Sequence, residues 1–132
     1  MTRVEGILET CLYVDDLIAA EEFYTRILGI APFSRVEDRH VFFQLGQSML
    51  LLFNPDQTEK PGGDVPPHGA YGAGHVAFAV SPDNVPIWRE HLRQNEVAIE
   101  AEVTWPSGGQ SLYFRDPSGN SLEVATVRVW GL

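Results

Sequence analysis

Tyr113-Phe114-Arg115-Asp116-Pro117-Ser118-Gly119-Asn120-Ser121-Leu122-Glu123-Val124-Ala125 reads as strand, tight turn, strand. Pro117 presets the backbone angle of the turn, and Gly119-Asn120 tolerate a positive φ where a branched residue is strained. Beyond the turn, Leu122 and Val124 alternate with Glu123. A period of two puts the apolar pair on one face and the carboxylate on the other. Glu123 is therefore a lone acid in a run built for burial, where an unpaired carboxylate is too costly to keep charged.

Working outward, Val97 to Thr104 and Gln110 to Arg115 are strand candidates before this hairpin. Ahead of them, Ser81-Pro82-Asp83-Asn84 opens a helix with Val85, Trp88 and Leu92 on its buried stripe, and Asn95 is expected in the left-handed closing position. Gly74 to Val80 is a strand with Val76, Phe78 and Val80 on one face and His75, Ala77 and Ala79 on the other. The first half repeats this order. Ile7 to Val14 is a strand, with Glu9, Cys11 and Tyr13 sharing a face. Asp15-Asp16 caps a helix through Leu28, Gly29 stops it, and strands follow at Pro32 to Val36, His40 to Leu45 and Ser48 to Phe53. The reading is an α+β fold of two βαβββ modules forming a cupped mixed sheet, within one domain spanning 1–132. Module one covers about 6–53, a Pro- and Gly-rich connector 54–73, and module two about 74–126.

Overlaying the modules sets Glu9 opposite His75. Counting four residues on from Gly46 and from Gly119 sets Leu50 opposite Glu123. Glu9, His75 and Glu123 are then expected on one concave surface, with the apolar Leu50 in the fourth place. A histidine with two carboxylates suits a divalent metal of intermediate hardness.

Composition narrows the partners. Eighteen acidic against nine basic residues give a formal charge of −9, which disfavours nucleic acid and anionic membrane. Apolar content of 44% is too high for disorder. The single cysteine, Cys11, rules out an internal disulfide, and no long apolar run reads as a leader or membrane span. A cytoplasmic location is expected.

The chain resembles the vicinal oxygen chelate superfamily, which includes glyoxalase I, bleomycin- and fosfomycin-resistance proteins, methylmalonyl-CoA epimerase and extradiol dioxygenases. The resemblance covers about residues 6 to 126. It rests on Leu12-Tyr13-Val14-Asp15-Asp16-Leu17, Glu22-Phe23-Tyr24 with Leu28-Gly29, Gly74-His75-Val76-Ala77-Phe78, and Asp116-Pro117-Ser118-Gly119-Asn120 before Leu122-Glu123. It implies metal ligands at Glu9, His75 and Glu123, with Glu9 standing where histidine or glutamine is more usual and Leu50 unable to bind. It implies a metal-dependent enzyme that chelates a small oxygen-bearing substrate through the ion, of isomerase, lyase or dioxygenase type. Manganese or iron(II) is favoured, with zinc or nickel as further choices. Glu9 and Glu123 are the catalytic candidates, Glu9 as ligand or as general base. The resemblance also implies a homodimer, with the site taken from one chain or shared between two. The alternative is a metal-free protein that sequesters a drug or metabolite, as bleomycin-resistance proteins do.

Tyr13, Leu52 and Tyr113 are assigned to the cleft-facing parity, and Trp105 to a loop at its rim. Arg115 and Arg39 are the nearest cations for an anionic substrate group. His40 and His91 read as surface residues and Cys11 as a small pocket filler. His68, in the connector, has the reach to enter the cleft but nothing in its context requires it.

Overall fold

A computed structural model describes residues 1–132 and divides them into two compact units, Met1–Tyr71 and Gly72–Leu132. In the first unit, strand β1 (Glu9–Tyr13) is followed by helix α1 (Leu17–Leu28), then β2 (Pro32–Val36), β3 (His40–Leu45), β4 (Ser48–Phe53) and a single helical turn α2 (Pro55–Thr58). The second contains β5 (His75–Ala79), a 3-10 turn at Pro82–Asn84, α3 (Val85–Gln94), β6 (Ala101–Thr104), β7 (Gln110–Arg115), β8 (Ser121–Ala125) and a closing 3-10 turn, Val127–Trp130. Each unit forms its own four-stranded sheet, ordered β1-β4-β3-β2 and β5-β8-β7-β6, with one parallel pair (β1 with β4, β5 with β8) in an otherwise antiparallel sheet. The α+β, twice-repeated βαβββ reading holds.

Local chemistry explains the elements. The Asp16 carboxylate accepts from the Ala19 amide and so caps α1, and Gly29 closes the helix at φ 72°. Ala20, Phe23, Tyr24 and Ile27 form the buried stripe of α1, and Tyr24 stacks on Phe43. With Leu12, Val14, Val41, Leu50 and Leu52 they make the first core. In the second unit Val85 and Leu92 of α3 are buried, as are Leu112, Phe114, Leu122 and Val124 of the sheet. Asp116 holds the β7–β8 turn by accepting from the Ser118 and Asn120 amides and the Asn120 side chain, while the Asn120 amide oxygen takes the Gly74 N–H.

Four details differ from the sequence reading. Glu96, not Asn95, takes the left-handed position after α3, at φ 58°. Strand β6 begins at Ala101, later than the expected Val97. The connector carries the short helix α2.

The fourth difference is register. Met49 donates to the Leu8 carbonyl as Ser121 donates to that of Gly74, and Val14 donates to Phe53 as Val80 does to Ala125. These paired bonds make Leu51, not Leu50, the counterpart of Glu123. The hairpin turns differ in length: Leu45 pairs with Ser48 across two residues, whereas Arg115 pairs with Ser121 across five. Counting from the turn glycine therefore slips by one, and a one-residue slip exchanges the two faces of a strand. Leu50 and Leu52 lie with Thr10, Leu12, Val41 and Phe43 on the helix-covered face. Leu52 is fully buried there, which corrects its assignment to the face of Tyr13. Leu51 is also apolar, so the fourth place still lacks a ligand.

Candidate metal centre

On the uncovered face of the second sheet, β5 and β8 bring His75 and Glu123 together. Ala77 is the register partner of Glu123, so His75 stands one residue pair further along the same face. His75 Nε2 lies 3.4 Å from Glu123 Oε1, with the imidazole half exposed and the carboxylate buried. His75 Nδ1 is 2.9 Å from the Ser121 carbonyl oxygen. A carbonyl only accepts, so Nδ1 donates to Ser121 and Nε2 is the ring atom turned toward Glu123. Two ligands about 2.0–2.1 Å from one ion at a tetrahedral angle stand about 3.4 Å apart. The backbone carbonyl on the far ring nitrogen is the support that metal-binding histidines commonly have. The pair thus fits a divalent ion in its spacing and in the orientation of its ring.

Tyr113 of β7 faces the same pair. It is the register partner of Glu123, and its ring stacks on His75 at 6.3 Å between centroids. Burial, followed by the charge of Glu123, raises the pKa of its phenol, so it remains a proton donor. Trp105 donates its indole N–H to the buried Ser111 hydroxyl at 2.9 Å, which fixes the rim loop to this sheet. Arg115 is less available than expected. Its guanidinium is engaged by Glu100 at 2.8 Å and by the Gly119 carbonyl at 3.0 Å.

Glu9 lies in the other unit, exposed at the start of β1 on the uncovered face of the first sheet. No three His, Cys, Asp or Glu side chains gather into a metal-sized cluster within the chain. The rest of that face is aromatic. Tyr13, Phe42, Phe53 and His40 share it, with His40 stacked on Phe42 at 3.9 Å and Arg39 over the Phe53 ring at 5.4 Å. His40 is thus a partner in the cluster and not a free surface group; burial, then Arg39, lowers its pKa. His91 packs edge-on against Trp88 of α3. Cys11 is exposed on the Glu9 face, and burial with the neighbouring Cys11 raises the pKa of Tyr13.

Two features go beyond the sequence reading, which gave His68 the reach to enter the cleft but no partner there. His68 leaves the connector to share a 2.6 Å hydrogen bond between its Nδ1 and the Tyr13 hydroxyl, and it packs edge-on against Phe53. No local pattern signals this, because the contact spans 55 residues. The closing turn Val127–Trp130 lies beyond the expected second module; its alternation of Val127 and Val129 around Arg128 is the one signal the sequence offers.

Comparison with known proteins agrees with this architecture. Residues 6–124 match the family described as the glyoxalase/bleomycin resistance protein/dioxygenase superfamily. A crystal structure of lactoylglutathione lyase from Agrobacterium tumefaciens superposes with a TM-score of 0.94 at 38% identity, covering 99% of this chain and 100% of that one. The metallothiol transferase FosB of Staphylococcus haemolyticus is 29% identical over 124 residues, 93% of this chain and 84% of its own. A glyoxalase/bleomycin resistance protein/dioxygenase from Nocardioides is 26% identical with a TM-score of 0.75, covering 96% of this chain and 85% of that chain. With a family match across most of its length, a matching βαβββ repeat and a full-length relative at 38% identity, the chain belongs to the glyoxalase/bleomycin resistance protein/dioxygenase, or vicinal oxygen chelate, superfamily.

Proposed function

We propose that this protein is a metal-dependent enzyme acting on a small oxygen-bearing substrate, with His75 and Glu123 as two of its metal ligands. The observation that carries this reading is the placing of His75 Nε2 3.4 Å from the Glu123 carboxylate, with Nδ1–H already donated to Ser121. Glu9 is the third ligand, contributed by a second copy of the chain in a homodimer. A divalent ion held there supplies Lewis-acid stabilisation to two neighbouring substrate oxygens. His75 is held in orientation by its backbone bond to Ser121. Glu123, shielded by burial, brings a negative charge that offsets that of the cation. Tyr113 holds a proton beside the pair and donates a hydrogen bond to an oxyanion as charge develops on substrate.

With histidine and two carboxylates as ligands, manganese and iron(II) are the favoured ions, and zinc or nickel the next choices. Leu51 in the fourth place leaves coordination positions open for substrate. The relatives named lactoylglutathione lyase and metallothiol transferase support transfer or lyase chemistry on such a substrate. A second reading, a metal-free sequestering protein, draws on the aromatic face of Tyr13, Phe42 and Phe53, which suits a planar ligand.

Metal content of protein purified without added metal or chelator separates the two. About one equivalent per chain is expected in the wild type, falling to near zero in His75→Ala and Glu123→Gln. Mixing equal amounts of Glu9→Ala and His75→Ala chains is expected to restore about a quarter of the sites, since half of the dimers are mixed and one of the two shared sites in each keeps all its ligands. A wild type that binds none of manganese, iron, zinc or nickel overturns the enzyme reading.

A further inference from the structure

The uncovered face of the second sheet holds a small pocket that opens beside the Glu123 carboxylate. Its volume is about 160 Å³, and its walls are Ala77 and Ala79 of β5, Ala125 of β8, and Val127, Val129 and Trp130 of the closing turn. Glu123 is the one charged side chain lining it. Thr126 also borders it, but the Thr126 hydroxyl already accepts from the Gln110 amide at 3.1 Å. A chamber with methyl walls and a single polar end recognises a molecule with one apolar and one oxygen-bearing end.

The closing turn is a built wall. Arg128 donates to the Ser107 carbonyl at 2.8 Å, and its guanidinium packs against Gly108. A Cβ on Gly109 would lie 2.3 Å from the Val129 amide nitrogen, so backbone meets backbone there with no room for a side chain. The floor is made by small residues. At the equivalent places on the first sheet, Tyr13 and Phe53 stand where Ala79 and Ala125 stand here. Methyls stand where the first sheet has two aromatic rings, and the closing turn borders the space beside them.

We infer that this pocket is the subsite for the non-chelating end of the substrate and that it takes a short aliphatic group of about three to five carbons. The inference rests on the metal-site reading for the identity of the polar end, but not for the pocket itself. At about 30 Å³ per heavy atom, the share of a water molecule in the liquid, the chamber holds roughly five heavy atoms. Sites for drug-sized ligands run to roughly 300–1,000 Å³, so a bulky aryl group or a peptide chain is excluded from it.

Two ligand series test this. Primary alcohols from ethanol to hexanol are titrated into protein without metal, following the alanine and valine methyl resonances. The hydroxyl can donate to Glu123, so no ion is needed. Shifts are expected at Ala77, Ala79, Ala125 and Val129, with affinity rising about fourfold per added methylene and levelling near pentanol. Ala79→Leu fills the pocket without touching the pair and is expected to weaken butanol at least tenfold. Trp130→Ala, which removes a wall from an exposed position, is expected to weaken it severalfold. Affinity that ignores chain length, or is unchanged in both variants, overturns the inference. Straight-chain 2-hydroxy acids titrated into zinc-loaded protein form the second series. If their binding alone fails while the alcohols behave as described, the metal reading falls and the pocket stands.

Discussion

The two units share a fold and differ on one face. In the first, the segment after the last strand sends His68 back over the sheet, where it meets Tyr13 and Phe53 and fills the surface with rings. In the second, the segment after the last strand turns back as Val127–Trp130, but meets Ala79 and Ala125 and leaves a chamber. The proposed ligand positions differ in the same sense. Glu9 faces Leu51 across one strand gap in the first unit, and His75 faces Glu123 in the second. The two units present one scaffold with different faces: one a packed aromatic surface with a single carboxylate, the other a polar pair beside a cavity. The helix-covered faces must stay apolar to fold, so the units differ where packing does not forbid it.

The comparison can be broken or sharpened by substitution. The largest effect is expected from Phe53→Ala, which removes the ring that touches Tyr13, His40, Phe42 and His68. A loss of about 3–5 kcal/mol is expected in denaturant unfolding. If the aromatic face is loosely held, the loss will instead fall below about 1 kcal/mol, and the contrast between a packed and an open face fails. Next comes Gly109→Ala. Its new methyl must displace Val129, so the closing turn is expected to detach, with faster hydrogen exchange at the Val129 amide, which Thr126 otherwise holds. A cost of about 1–3 kcal/mol is expected, the range for overpacking a filled site. Unchanged exchange would show that the turn is not a fixed wall. The smallest effect belongs to Tyr13→Phe. It deletes the 2.6 Å bond to His68 and keeps the ring, so about 0.5–1.5 kcal/mol is expected. A larger cost would mean that the hydroxyl, and not the ring stack, anchors the connector.

Much of this was legible from residues alone. The alternation through Leu122, Glu123 and Val124, the turn residues Pro117 and Gly119, and the caps Asp16 and Gly29 are local signals, and each element they predict is present. The pairing of His75 with Glu123 was legible because both units repeat one pattern and parity assigns each residue a face. Leu52 was misplaced because parity is only as good as the register, and the unequal hairpin turns shifted it by one. Glu96 took the position expected of Asn95 because Asn95 serves as the C-cap at φ −93°, so the left-handed residue falls one place further along.

By itself the sequence determined the repeated βαβββ order, the helix caps, the apolar stripes and the strand placement of Glu9, His75 and Glu123. These depend on spacing and on side-chain type within a few residues. Only the tertiary structure decided that Leu51 and not Leu50 answers Glu123, that His68 closes over Tyr13, and that a turn after the last strand roofs a chamber on alanines. Those facts are set by hydrogen-bond register and by contacts between residues far apart in sequence. A local pattern carries no information about either.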